Sequence, residues 1–144
     1  MSSAGPAGGY ESVRMRIKLG TVGHFSLAVR DPDASAAWWS RNFDLEEIFR
    51  FDDGVGISND AITIALFSGP PDPDALEHMS FHLAGMKELR AALLQLKANG
   101  VELEDPDDEI GPEAPGSPHM GLWFHDPDGY RWELSVQNGA ARGR

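Results

Sequence analysis

HFSLAV at 24–29 returns fifty-four residues later as HMSFHL at 78–83. Each stretch opens on His, places Ser two residues on, and sets apolar side chains at the alternate steps. Side chains of a strand alternate between its two faces. Phe25, Leu27 and Val29 therefore share one face, opposite His24, Ser26 and Ala28. In the second stretch Met79, Phe81 and Leu83 lie opposite His78, Ser80, His82 and Ala84. Such a strand packs its apolar face on a core and turns the other toward something that tolerates imidazole and hydroxyl groups.

The segments after the two stretches repeat as well. Asp31-Pro32 offers an N-cap and a first-turn proline to a helix over DASAAWWSRNF. Trp38 and Trp39 in it are core and helix-packing residues. FDLEEIFRFDD and AITIALFSG supply two or three strands, with turns at Gly54 and Gly56. PPDPDAL at 70–76 is a proline-rich connector at the middle of the chain. Beyond it, MKELRAALLQLKAN has apolar residues at helical spacing and ends on Gly100 as a left-handed cap. VELED is a strand, and MGLWFHD and YRWELSV are two strands joined by the turn DPDG. Each half reads strand, helix, three strands, which is an internal duplication.

The expected fold class is α+β, with two βαβββ modules at about 20–70 and 76–137 inside one domain at 13–140. VRMRIKL at 13–19 alternates strictly and predicts a further strand with a basic, wet face. Residues 1–12 read as a flexible leader and 141–144 as a frayed tail. DPDDEIGPEAPGSPH at 105–119 reads as an exposed acidic loop, either a solvated connector or a lid that brings His119 toward the site.

Composition narrows the function. The 144 residues are 41% hydrophobic, enough for a packed interior, and no apolar run approaches the roughly 18–20 residues of a membrane span. A net charge of −11, from 12 basic and 23 acidic residues, argues against nucleic-acid partners, which are held by Lys and Arg. There is no cysteine, so disulfides, thiolate metal sites and cysteine nucleophiles are excluded. A cytoplasmic location is the default expectation.

The last strand carries the remaining element of a site. Trp132, Leu134 and Val136 share a face, opposite Arg131, Glu133 and Ser135. A mid-strand carboxylate needs a partner if it is buried. Taken singly, each of these His or Glu residues is ordinarily a hydrogen-bonded polar side chain. Their combination is what matters: His24 and His78 at matched starts of duplicated strands, and Glu133 on the closing strand. Two imidazoles and a carboxylate suit a divalent Fe, Mn, Ni, Co or Zn ion and leave positions for water or substrate. His82 and His125 point to the same side by strand parity. His82 lies about 13 Å along the strand from His78, too far to share the ion and placed as a general base or substrate contact. Trp123 would wall an apolar or aromatic ligand.

VGHFSLAVRDPDASAAWWSRNFDLEE, EHMSFHLAG and, most specifically, GLWFHDPDGYRWELSV resemble the vicinal oxygen chelate superfamily over about 22–137. That superfamily includes glyoxalase I, extradiol dioxygenases, fosfomycin-resistance thiol transferases and bleomycin-binding proteins. The resemblance implies paired βαβββ modules that curl into a cup around a metal, with ligands at the positions of His24, His78 and Glu133. It also implies a homodimer whose sites draw ligands from both chains. Two departures stand out. Ala65 falls where glyoxalase I and the epimerases carry a fourth ligand, and Trp123 falls where three-ligand relatives carry a tyrosine. The potassium-binding loop of the fosfomycin enzymes is not recognisable in DDEIGPEAPGSPHMG.

Two functions are compatible with these residues. One is a metal-dependent enzyme acting on a small substrate that chelates through two oxygens, by lyase, transferase or dioxygenase chemistry. The alternative is a metal-free protein that sequesters a drug or natural product, in which the tryptophans and acidic charge would suit a planar cation.

Overall fold

The computed structural model describes residues 15–105 and 109–142. The strands are β1 (Phe25–Val29), β2 (Glu46–Phe51), β3 (Gly54–Ser58), β4 (Thr63–Ser68), β5 (Met79–His82), β6 (Glu102–Leu103), β7 (Gly111–Pro112), β8 (Met120–His125) and β9 (Arg131–Val136). The helices are α1 (Pro32–Asn42), α2 (Pro73–Leu76), α3 (Met86–Ala98) and α4 (Gly139–Arg142). The first sheet runs β1-β4-β3-β2 and the second β5-β9-β8-β6, with β7 also paired to β8. The expected α+β class and the duplication are both present.

Register makes the duplication explicit. β1 pairs with β4 in parallel, Ser26 opposite Ala65, and Ala65 faces Gly56 on antiparallel β3. β5 pairs with β9 in parallel, Ser80 opposite Glu133, and Glu133 faces Trp123 on antiparallel β8.

Local chemistry sets the element ends. Asp31 Oδ1 accepts from the backbone N–H of Asp33 (3.1 Å) and Ala34 (3.2 Å), so the first turn of α1 is capped as its Asp-Pro start predicts. Gly100 has φ +73° just past α3, the left-handed conformation that glycine adopts without a Cβ penalty.

The apolar faces of both sheets meet in one core with α1 and α3. Trp39 of α1 is 1% exposed and stands edge-on to Trp132 of β9, centroids 4.9 Å apart. Trp38 stacks on Phe124 at 6.3 Å. These contacts carry α1 from the first module onto the second sheet. Truncating a fully buried tryptophan is expected to cost about 3–5 kcal/mol.

The DPDG turn ties the halves together. Asp126 Oδ1 accepts from the backbone of Asp128 and Tyr130, both at 3.0 Å, and Oδ2 accepts from Trp132 Nε1 at 3.2 Å. The turn then reaches across to β1: Asp128 Oδ1 accepts from Arg30 N (3.0 Å), and Tyr130 Oη donates to the Ala28 carbonyl (2.7 Å).

Three segments depart from the sequence expectation. No strand forms over 15–19, where Met15, Ile17 and Leu19 are 84, 88 and 84% exposed; residues 13–14 lie outside the described residues. Alternation alone does not make a strand, because the backbone needs an edge to bond with. The acidic loop is not all open connector: β7 pairs antiparallel with β8, and Glu113 N donates to the His119 carbonyl at 2.8 Å. Residues 106–108 of it, like the leader at 1–12, lie outside the described residues. The end of the chain, expected to fray, turns into α4, with residues 143–144 outside the described residues. No helix among the described residues is long and apolar enough to cross a membrane.

Candidate metal centre

The second sheet carries two of the three candidate ligands on neighbouring strands. Glu133 projects from β9 beside β5, whose first residue comes directly after His78. Glu133 is 1% exposed, and its Oε2 has no hydrogen-bond partner among the described residues. Burial raises its pKa above the usual carboxylate range; the Ser80 hydroxyl opposes this, Glu113 across the sheet adds to it, and His78 opposes it. Gly121 makes room for the carboxylate, since a β-carbon there would collide with Oε2. The Ser80 and Ser135 hydroxyls lie 2.9 Å apart.

His78 is held from two sides. Its Nδ1 bonds to the Glu77 carboxylate, and its ring stands edge-on to Trp123 with centroids 4.9 Å apart. A carboxylate on Nδ1 keeps the proton there and leaves Nε2 with its lone pair, the tautomer a metal needs. Glu77 reaches this position from a backbone with φ +65°, an uncommon conformation for glutamate.

Around this pair runs a charged network. The Arg131 guanidinium lies 4.0 Å above the Trp123 ring and bonds to Glu104, whose pKa it holds below the usual range. Glu104 Oε1 also lies 3.0 Å from His125 Nε2. His125 is thus engaged at the outer end of the network. His82 accepts from the Gln137 amide at 3.0 Å and borders a different cavity of about 300 Å³, with Trp39, Phe43, Phe81 and Leu134. His119 Nδ1 accepts from Asn138 N at 3.0 Å.

His24 is elsewhere. It precedes β1 on the open face of the first sheet and borders a cavity of about 390 Å³ with Ser26, Phe49, Phe51, Ala65 and Phe67. Among the described residues no three His, Asp or Glu side chains come together in a group able to hold a metal ion. The candidate ligands therefore stand on two sheets that share a core through their opposite faces. His78 and Glu133 are brought together; His24 is not brought to them.

The donors present nevertheless fit a divalent cation. A buried carboxylate oxygen without a partner among the described residues is costly unless something positive meets it, and the Nδ1 bond to Glu77 leaves the Nε2 lone pair of the neighbouring imidazole available. Sequence reasoning missed Glu77 and Glu113. Glu77 gives no signal beyond adjacency to His78, and Glu113 sits in an acidic, Pro- and Gly-rich stretch that marks no individual residue.

The fold recurs in solved structures. The fosfomycin resistance protein FosX from Listeria monocytogenes is 21% identical, covering 83% of this chain and 94% of that one, with a TM-score of 0.68. A glyoxalase/bleomycin resistance protein/dioxygenase from Nocardioides is 16% identical over 91% and 92% of the two chains, at 0.69. Lactoylglutathione lyase from Agrobacterium tumefaciens is 18% identical over 84% and 97%, at 0.65. No curated protein sequence matches the chain. The duplicated registers and these shared folds agree with the family model that matches residues 21–134, and the chain belongs to the Glyoxalase/Bleomycin resistance protein/Dioxygenase superfamily.

Proposed function

We propose that this protein is a divalent-metal-dependent enzyme whose centre is shared between two protomers of a homodimer. His24 of one protomer joins His78 and Glu133 of its partner around the ion. The observation that carries this reading is Glu133, a buried carboxylate with an oxygen unpartnered among the described residues, near an imidazole whose Nδ1 is taken by Glu77, in a chain that keeps the third donor on another sheet. A structure of FosX with Mn(II), of the same fold, gives the reading further support.

The ion would supply Lewis-acid or dioxygen-activating chemistry toward a small substrate bound through two oxygens. This chain's residues do the rest. Glu77 holds the His78 proton on Nδ1, and the Ser80 hydroxyl, itself bonded to Ser135, holds Glu133. Trp123, steadied by Arg131, forms an aromatic wall beside the imidazole. Phe49, Phe51 and Phe67 give the His24 side an apolar, aromatic lining, so the substrate is a small chelating molecule with an apolar arm.

Metal content per chain, measured by plasma mass spectrometry on wild type and on His24→Ala and Glu133→Ala variants, tests this. Each variant alone should lose its metal. Mixing the two allows subunit exchange, and a heterodimer regains one complete centre, so metal should return in the mixture. No return after exchange would overturn the shared centre, and a wild type that takes up no metal would overturn the enzyme reading.

A further inference from the structure

The segment 15–22 lies outside the packing of the other described residues. Met15, Ile17, Leu19 and Val22 expose 84, 88, 84 and 69% of their surface, and they alternate in part with Arg16 and Lys18. A cluster of exposed apolar side chains in a strand pattern marks an interaction surface, and extended backbone finds its hydrogen bonds by joining a sheet edge.

The first sheet offers such an edge. β2 is its outer strand, with Glu46 and Glu47 exposed and with Ile48 and Phe49 exposing 61 and 58%. Ile48 and Phe49 also line the cavity that His24 borders. The charges are complementary at one point: Arg16 and Lys18 are basic, and Glu46 opens β2, while Glu47 beside it is already paired with Arg50 at 2.9 Å. The segment leads into β1 at the opposite edge of the same sheet. Its own β2 is therefore three strand spacings of about 4.8 Å away, across the open His24 face.

We propose that segment 15–22 of one protomer docks as an added strand on the β2 edge of a second copy. Its apolar side chains cover Ile48 and Phe49, and Arg16 and Lys18 face Glu46. The partner's arm thereby closes one side of the His24 cavity. This rests on the reading that two copies assemble, and adds the element that holds them and shapes the substrate cavity.

The chain has no cysteine, which makes cross-linking direct. Ile17→Cys and Ile48→Cys are prepared separately, mixed, and treated with a short bismaleimide. Covalent dimer should form in the mixture well above the level in either variant alone. A chain carrying both substitutions that cross-links only within itself, at monomer size, overturns the proposal. In a second measurement, full-length Ile17→Asp/Leu19→Asp, altered only at exposed positions, should dimerise at least about tenfold more weakly by analytical ultracentrifugation. Glu46→Lys should weaken assembly too, and adding Arg16→Glu should restore it. If the double Asp variant dimerises as tightly as wild type, the arm fails. If it also keeps its metal, the shared centre stands without the arm. A monomeric wild type holding stoichiometric metal overturns both.

Discussion

Ala65 occupies in the first sheet the position that Glu133 occupies in the second. Each lies opposite a serine of the parallel neighbour strand, Ser26 or Ser80, and faces the antiparallel strand on its other side. The duplication thus repeats the frame and places a carboxylate in one of the two equivalent positions. Ala65 borders the cavity of about 390 Å³ next to His24, where a longer side chain has room. Ala65→Glu should place a second carboxylate in the assembled centre. In the metal-free protein the added charge should lower the melting temperature, because a buried carboxylate without a partner is costly. With metal the loss should reverse, and release to a chelator should slow. Unchanged release in a folded variant would show that the equivalence ends at the backbone.

The buried carboxylate itself predicts a pH dependence. Burial, with Glu113 facing it, raises the pKa of Glu133 in the folded chain above its unfolded value. The native state then binds this proton more tightly than the unfolded state does. The resulting stability is fully present below the unfolded carboxylate range and is lost as pH rises through the raised folded value. Metal-free Glu133→Gln should therefore be more stable than wild type at neutral pH, by about 1–3 kcal/mol, the scale of an unpaired buried group. The difference should shrink in acid. Denaturant unfolding of both proteins at about pH 4 and about pH 7, bracketing the ordinary carboxylate-to-neutral range, measures it. A wild type more stable than the variant at neutral pH, without metal, would contradict the account.

Much of the fold is legible in the chain because it depends on local pattern. The echo of HFSLAV in HMSFHL fixes which residues share a face, and Asp31-Pro32 and DPDG specify a helix start and a turn by their own chemistry. Alternation assigns a face to each side chain but not the direction in which two sheets turn those faces. Parity therefore groups His24 with Glu133, whereas the folded chain holds His24 in a separate cavity. Glu113 owes its place to the pairing of β7 with β8, a long-range contact without a compositional mark. Glu77 owes its place to one positive φ that glutamate seldom adopts. The 15–19 stretch shows the converse: a strand pattern is present, and its own chain supplies no strand partner among the described residues.

Glu77 should matter to metal affinity more than to folding. Its side chain is 74% exposed, so little packing is lost when it changes. Its carboxylate fixes the His78 tautomer, and outer partners of this kind are worth about 10–100-fold in affinity. Glu77→Gln should weaken metal binding by that order while leaving the melting temperature of the metal-free protein nearly unchanged. Glu77→Gly separates the two roles of the residue. Glycine adopts φ near +65° without strain, so the metal-free fold should gain slightly while metal affinity falls. Isothermal titration with Mn(II) and thermal melts of the same samples check both; equal affinity in wild type and variants would remove Glu77 from the centre.

The turn between β8 and β9 is expected to be the costliest polar site to disturb. Asp126 is 4% exposed, and its two oxygens accept three hydrogen bonds, from the backbone of Asp128 and Tyr130 and from Trp132 Nε1. Asp126→Ala strands those donors in the interior and frees the turn whose neighbours hold Arg30 and the Ala28 carbonyl on β1. The loss should be about 3 kcal/mol, within the range for breaking a buried network. Tyr130→Phe removes only the hydroxyl, which donates to Ala28 and accepts from Asp72 N at 3.1 Å, and should cost about 1 kcal/mol. Because the hydroxyl joins one module to the other, its loss should also speed hydrogen exchange in β1 more than in β8. Urea unfolding ranks the two variants, and exchange read by mass spectrometry locates the effect. Equal acceleration in both strands would mean that the turn stabilises its own hairpin and does not join the modules.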